Sequence, residues 1–138
     1  MDGMKETKTL TVLIADDDPV ICRMLEHALQ KRQINALSAD SIPAVEAALK
    51  TGKPDAALLD LVLGQDSGWE ALSVLRRHSR IPVILMTGGA VNEETEKDAR
   101  LLGAQAVVSK PFEVSEVVSL LLGLLGKFPP PPPPVPLA

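Results

Sequence analysis

The sequence predicts an α/β fold, a doubly wound five-stranded parallel sheet with helices on both faces, on three observations. Short apolar runs recur between segments long enough for a crossover helix, the pattern of strands buried on both sides. Aromatic residues are scarce (one Trp, two Phe, no Tyr), so the core must be Val, Ile, Leu and Ala, which suits a sheet covered by helices. Four of the runs end on residues of chemical use: 10–15 before Asp16-Asp17-Asp18, 56–59 before Asp60, 83–86 before Thr87, and 106–108 before Ser109-Lys110. Right-handed crossovers gather strand C-termini at one sheet edge, where open α/β sheets bind ligands. Acids, a hydroxyl and an ammonium far apart in sequence therefore converge.

Residues 10–15 read as the first strand. Asp18 caps a helix with Pro19 at its first position, where proline's missing N–H costs nothing. Ile21, Met24, Leu25 and Ala28 make its apolar stripe, while Arg23, Glu26, Gln30 and Lys31 face water. Residues 34–39 form a short second strand. Ser41 caps the next helix, which runs to Lys50 and stops at Thr51-Gly52-Lys53-Pro54. The central strand is 56–60, and a glycine-bearing loop over 64–68 leads to a helix over 69–78. The fourth strand, 83–87, follows Ile81-Pro82 and gives way to a pliable Gly88-Gly89 loop. Asn92 caps a helix with Glu93, Glu94 and Glu96 near its positive end, and Gly103 ends it. The fifth strand is 106–109, and a final helix starts at Glu113 or Ser115 and reaches about Leu125.

At 138 residues the chain suffices for one domain, which buries roughly two-thirds of its unfolded surface. The expected organisation is a flexible head over 1–9, a domain over 10–126, and a proline-rich tail or linker stump over 127–138. Six consecutive prolines from Pro129 favour extended polyproline II, either as a ligand for an aromatic-lined groove or as a stiff spacer. With 46% hydrophobic and 23% charged residues the domain itself is not a disordered chain.

A net charge of −4 without a basic stripe argues against direct contact with nucleic acid. Cys22 is the only cysteine, which excludes an internal disulfide and a thiolate metal cage; it reads as a helix residue in a reducing compartment. Residues 1–8 do not form a signal peptide, and no apolar segment reaches the ~18 residues needed for membrane insertion. Cytoplasm is the expected location.

Asp16, Asp17 and Asp60 at one edge repel and raise each other's pKa values, a conflict that a hard divalent cation resolves. Lys110 adds a positive charge able to pair with a carboxylate or a phosphoryl oxygen, and Thr87 adds a neutral hydroxyl. Any one of these alone reads as a helix cap or surface charge, and Asp18 is assigned to the cap. His27 and His78 fall on helices away from the edge, facing solvent. Trp69, beside the 64–68 loop, reads as a packing residue able to report Mg²⁺ by its fluorescence.

These residues closely resemble the receiver domain of two-component response regulators. The matching pieces are Val12-Leu13-Ile14-Ala15-Asp16-Asp17-Asp18-Pro19, Pro54-Asp55-Ala56-Ala57-Leu58-Leu59-Asp60, Pro82-Val83-Ile84-Leu85-Met86-Thr87-Gly88 and Ser109-Lys110-Pro111-Phe112, in order over about 10–125. The resemblance implies a flavodoxin-like (βα)5 sandwich with strand order 2-1-3-4-5. It implies Asp60 as phosphoacceptor, with Mg²⁺ (Mn²⁺ as a substitute) held by Asp16, Asp17, Asp60 and the backbone carbonyl of Val62. It further implies that Thr87, with Gly88 beside it, closes on the phosphoryl group and that Lys110 contacts it. The implied partners are a sensor histidine kinase or histidine phosphotransfer protein and a downstream protein target. The implied role is a signalling module that assists its own phosphorylation and dephosphorylation, not an enzyme.

Three departures from the family pattern carry expectations. Val107 stands where receivers often have an aromatic, so signalling should use the Thr87-Gly88-Gly89 loop and the following helix, not a rotating ring. Gly64 and Ser67-Gly68 replace the usual proline and Asp-Gly turn, which predicts a looser loop. Gly88 is small, which predicts a phosphoryl group open to water and phosphatases. On the last helix, Val114, Val117, Val118, Leu121, Leu122 and Leu125 fill a core stripe and leave Leu120 and Leu124 outside it. That pair reads as a partner or homodimer face, or as a seat for the tail. A receiver fragment of a longer regulator with a missing output domain is the main alternative. A Mg²⁺-dependent phosphohydrolase ranks low because Val62 occupies the place of a second acid. A receiver that binds partners unphosphorylated is disfavoured by the intact acid, Thr and Lys set.

Overall fold

Alternation within the apolar runs sets the layers. In β1 (Thr11–Ala15), Val12 and Ile14 join one core while Leu13 and Ala15 join the other, all four fully buried. The computed structural model describes residues 9–126. After β1 come α1 (Pro19–Gln30), β2 (Asn35–Ala39), α2 (Ile42–Gly52), β3 (Ala56–Asp60), β4 (Val62–Leu63), β5 (Asp66–Ser67) and α3 (Gly68–His78). β6 (Val83–Thr87), α4 (Glu93–Leu101), β7 (Ala106–Ser109) and α5 (Val114–Leu124) complete the chain. The sheet runs β2-β1-β3-β6-β7 with every neighbour parallel. Setting aside the β4–β5 hairpin, that is the expected order 2-1-3-4-5.

On one face Leu13, Leu59 and Leu85 pack under Val45 and Leu49 of α2, Leu72 and Leu75 of α3, and Ala99 of α4. On the other, Ile14, Leu58 and Ile84 pack under Leu25 and Leu29 of α1 and Val117, Val118, Leu121 and Leu122 of α5. Each of the Val, Leu and Ile side chains contributes roughly 1.5–3 kcal/mol by leaving water. Because β1 lies between β2 and β3, the chain reverses direction there. A crevice opens at the C-terminal ends of β1 and β3, where ligands settle in such sheets.

Several local expectations change. The stripe of α1 is Cys22, Leu25 and Leu29, with Ile21 and Ala28 half-buried; Met24 is 47% exposed because its position turns off the sheet. α2 continues through Gly52 and closes on Lys53 in the left-handed region at φ 44°. The loop over 64–68 is tighter than expected. β4 and β5 pair antiparallel around Gly64 at φ +64°, with Leu63 buried beneath them. Ser67, not a later residue, caps α3 by accepting from the Trp69 N–H. Leu120 and Leu124 are half-buried against the α1/α5 core, because α5 sits deep enough to cover part of each. The expected head over 1–9 and tail over 127–138 lie outside the described residues, apart from residue 9. Among the described residues, no helix is long and apolar enough to cross a membrane.

Candidate functional site

The sheet edge assembles four of the sequence motifs. Asp16 and Asp17 follow β1, Asp60 ends β3, Thr87 ends β6 and Lys110 follows β7. Backbone bonds across strand ends hold them in place. The Asp16 N–H donates to the Ala39 carbonyl at 3.0 Å, and the Lys110 N–H donates to the Thr87 carbonyl at 2.7 Å.

Asp16 and Asp60 are only 3% and 5% exposed, so their charges need partners. The Lys110 ammonium donates to Asp16 Oδ2 at 2.8 Å and to Asp60 Oδ2 at 2.6 Å. The remaining oxygens face backbone: Asp16 Oδ1 accepts from the Asp18 N–H at 2.9 Å and Asp60 Oδ1 from the Val62 N–H at 2.9 Å. The Asp60 carboxylate is thus gripped at both oxygens, which fixes its plane. Burial pushes the Asp16 carboxyl above its usual range, a rise that the Lys110 hydrogen bond opposes and the Asp60 charge reinforces. For Lys110, burial works against the ammonium, but its bonds to Asp16 and Asp60 outweigh that and raise its pKa.

One carboxylate oxygen from each of Asp16, Asp17 and Asp60 lies within 4.8 Å of the others. This donor set, two buried acids and one exposed, is oxygen-only and matches a hard divalent cation. Val62 is 63% exposed, and its N–H touches the Asp60 carboxylate.

Thr87 Oγ1 accepts from the Gly89 N–H at 3.0 Å, and the Ser109 hydroxyl donates to the Gly89 carbonyl at 3.3 Å. A Cβ on Gly88 would meet nothing within 4 Å. Val107 is half-buried against the core on the α2, α3 and α4 side. His27 is exposed, and His78 pairs with Glu46 at 3.5 Å, both far from the edge.

Two contacts near the site went unread in the sequence. Asp66 Oδ2 accepts the Ile42 N–H at 2.9 Å, tying the β4–β5 hairpin to α2, and Ser109 reaches the Gly89 loop. Neither leaves a periodic signature, since each joins segments by a single side-chain bond.

A family model described as the response regulator receiver domain matches residues 12–122. The heme response regulator HssR of Staphylococcus saprophyticus is 30% identical over 118 residues, covering 86% of this chain and 52% of that protein. The chain thus spans about half the length of the curated relatives it matches. A two-component response regulator from Clostridium difficile superposes with TM-score 0.80 at 20% identity over 86% of this chain and 98% of that one, showing the same fold. A response regulator protein from Burkholderia pseudomallei, solved with a phosphorylated aspartic acid, calcium ion and citrate, superposes with TM-score 0.71. It is 26% identical, covering 80% of this chain and 65% of that one. The strand order, the acids at the β1 and β3 ends and a match over nearly all the described residues converge on one answer: the chain belongs to the response regulator receiver domain family of two-component systems.

Proposed function

We propose that Asp60 is the phosphoacceptor of this receiver domain. The observation that carries the reading is the Lys110 ammonium bridging Asp16 and Asp60 beside a third carboxylate, at the edge where β1, β3 and β7 end. Asp16, Asp17, Asp60 and the Val62 carbonyl hold Mg²⁺, with Mn²⁺ as a substitute. The ion supplies charge neutralisation between the acidic cluster and an incoming phosphoryl group.

The chain's own residues do the rest by position. The donor is a phosphohistidine on a sensor histidine kinase or phosphotransfer protein. An Asp60 oxygen attacks phosphorus, a P–O bond forms, the P–N bond breaks and the imidazole departs with its electron pair. Lys110 moves its attraction from the Asp60 carboxylate to the phosphoryl oxygens, and the Thr87 hydroxyl donates to one of them. Water later attacks phosphorus, releasing phosphate and restoring the carboxylate. No substrate turns over in the usual sense, so the domain assists its own modification and acts as a cytoplasmic signalling module. A downstream protein, or a second copy of the chain, reads the altered Thr87-Gly88-Gly89 loop. A regulator extending beyond these residues with an output domain fits the same chemistry.

Incubation with Mg²⁺ and a small acyl phosphate, read by intact mass, tests the reading. Wild type should gain one phosphoryl group, and Asp60→Ala should gain none. Uptake by Asp60→Ala, or none by folded wild type, would overturn it.

A further inference from the structure

We propose that Asp66 is a positioning residue for the Asp60 site, holding the β4–β5 hairpin against α2 so that the Val62 backbone stays in register with the nucleophile. The inference rests on the reading of Asp60 and its acidic cluster given above. Ile42 N–H is taken by Asp66 Oδ2, Pro43 has no N–H, and Ala44 N–H is taken by the Ser41 hydroxyl at 3.3 Å. Asp66 is therefore the tertiary member of that cap, reaching 24 residues back along the chain.

The same side chain sits opposite Leu63 in the hairpin, while Ser67 sits opposite Val62. Leu63 is pinned from below by full burial, and Gly68 N–H closes the hairpin's base on the Leu61 carbonyl at 2.8 Å. Asp66 supplies the restraint from the far side. Between these anchors lies Val62, 63% exposed, yet its N–H holds Asp60 Oδ1. A two-residue ribbon is unstable in isolation, so its shape depends on such ties. Without Asp66 the hairpin keeps its base bond and the burial of Leu63 but loses its tie to α2, and the Val62 peptide gains freedom where its orientation matters most.

The full chain is compared with Asp66→Ala, Asp66→Asn and Ser41→Ala by amide exchange at Val62, by Trp69 fluorescence titrated with magnesium chloride, and by thermal unfolding. Asp66→Ala should speed Val62 exchange about tenfold and raise the half-saturating Mg²⁺ concentration about tenfold, the usual scale for loss of an outer-sphere partner. Asp66→Asn keeps an oxygen acceptor and should stay within about twofold of wild type on both. Ser41→Ala weakens the same helix end but leaves the hairpin tie, so its unfolding temperature should fall with Val62 exchange and the Mg²⁺ midpoint unmoved. Unchanged exchange and midpoint in Asp66→Ala would overturn the assignment, as would equal shifts in Ser41→Ala. A wild type with no Mg²⁺ response would strike the reading of the acidic cluster instead, while Val62 exchange still decides Asp66.

Discussion

Gly68 is the position with least room, and Gly68→Ala turns that into a number. A Cβ there would overlap the Asp60 carbonyl oxygen and Leu61 Cα and lie 2.8 Å from the Asp60 carbonyl carbon. All three are backbone atoms of the segment that carries the nucleophile, so no flexible side chain can swing aside. Gly to Ala within a helix ordinarily gains up to about 1 kcal/mol. Overpacking ordinarily loses about 1–3 kcal/mol. With backbone as the obstacle, the loss belongs at the upper end, and the helical gain set against it leaves a net cost of about 2 kcal/mol. For a domain of this size that lowers the unfolding temperature by roughly 8 °C. Far-UV circular dichroism during thermal and urea unfolding reads the stability, and intact mass reads phosphoryl uptake, which should slow as the Asp60–Leu61 peptide is pushed away from Gly68. Gly88→Ala is the control, since a Cβ there meets nothing within 4 Å, and it should change stability by under about 0.5 kcal/mol. A Gly68→Ala protein as stable and as readily phosphorylated as wild type would refute the packing argument.

Asp16 holds its proton above the ordinary value of 3.8, so the folded chain binds more protons than the unfolded one in that window and loses stability as pH rises through it. Asp16→Asn should therefore raise the metal-free unfolding temperature near neutral pH by a few degrees while abolishing the Mg²⁺ response; a lower temperature counts against the charge argument. Lys110 works in the same direction at alkaline pH: its pKa is raised above 10.5, so its contribution is complete below that value and lost as pH climbs through the raised one. Lys110→Met should flatten that alkaline limb of the stability profile, and an unchanged limb would contradict the pairing. Cys22 is 8% exposed with its thiol pushed up to about 11, chiefly by burial, so alkylation near neutral pH should be slow and accelerate only as urea unfolds the chain. Gly88→Leu should lengthen the phospho-Asp60 lifetime severalfold by covering the open side of Thr87, and an unchanged lifetime would remove the idea that openness sets it.

Strand positions and helix caps were legible because they are local. Asp18, Ser41 and Asn92 each accept an N–H within three residues, and the strands announce themselves by runs bounded by turns. The acidic cluster was legible because topology rules bring strand ends together whatever lies between them. The β4–β5 hairpin was not, since two-residue strands are shorter than any periodicity. Nor was the grip of Arg76, whose guanidinium donates to the Ser79, Ile81 and Gly103 carbonyls. It ties the end of α3 to the end of α4 using backbone acceptors that no residue identity marks. Leu120 and Leu124 lie outside the buried stripe of α5 as expected, but a helical stripe gives direction and not depth, and Val114 and Leu125 are only half-buried like them.

Val107 bears on how such a site can be read by a partner. Its χ1 is stiff and it has no ring to swing, and beside it lies a cavity of about 170 Å³ between α4 and β7, with Ala99, Ala104 and Ala106 in its lining. α4 is held lightly, with Ala99 its only buried residue, whereas α5 buries Val117, Val118, Leu121 and Leu122. One buried methyl is worth roughly 0.8 kcal/mol, so little resists movement of α4 except its C-terminal corner, where Arg76 grips Gly103. In the proposed reaction Thr87 Oγ1 turns to the phosphoryl group and leaves the Gly89 N–H, so beyond the Thr87 carbonyl's bond to Lys110 the loop keeps its Ser109 contact. On that proposal the free end of α4, bearing Glu93 and Glu94, is the part placed to take up the displacement. Under the proposed function, a shallow helix anchored at one end would serve the purpose of a rotating side chain, since modest differences in free energy redistribute a population between two loop positions.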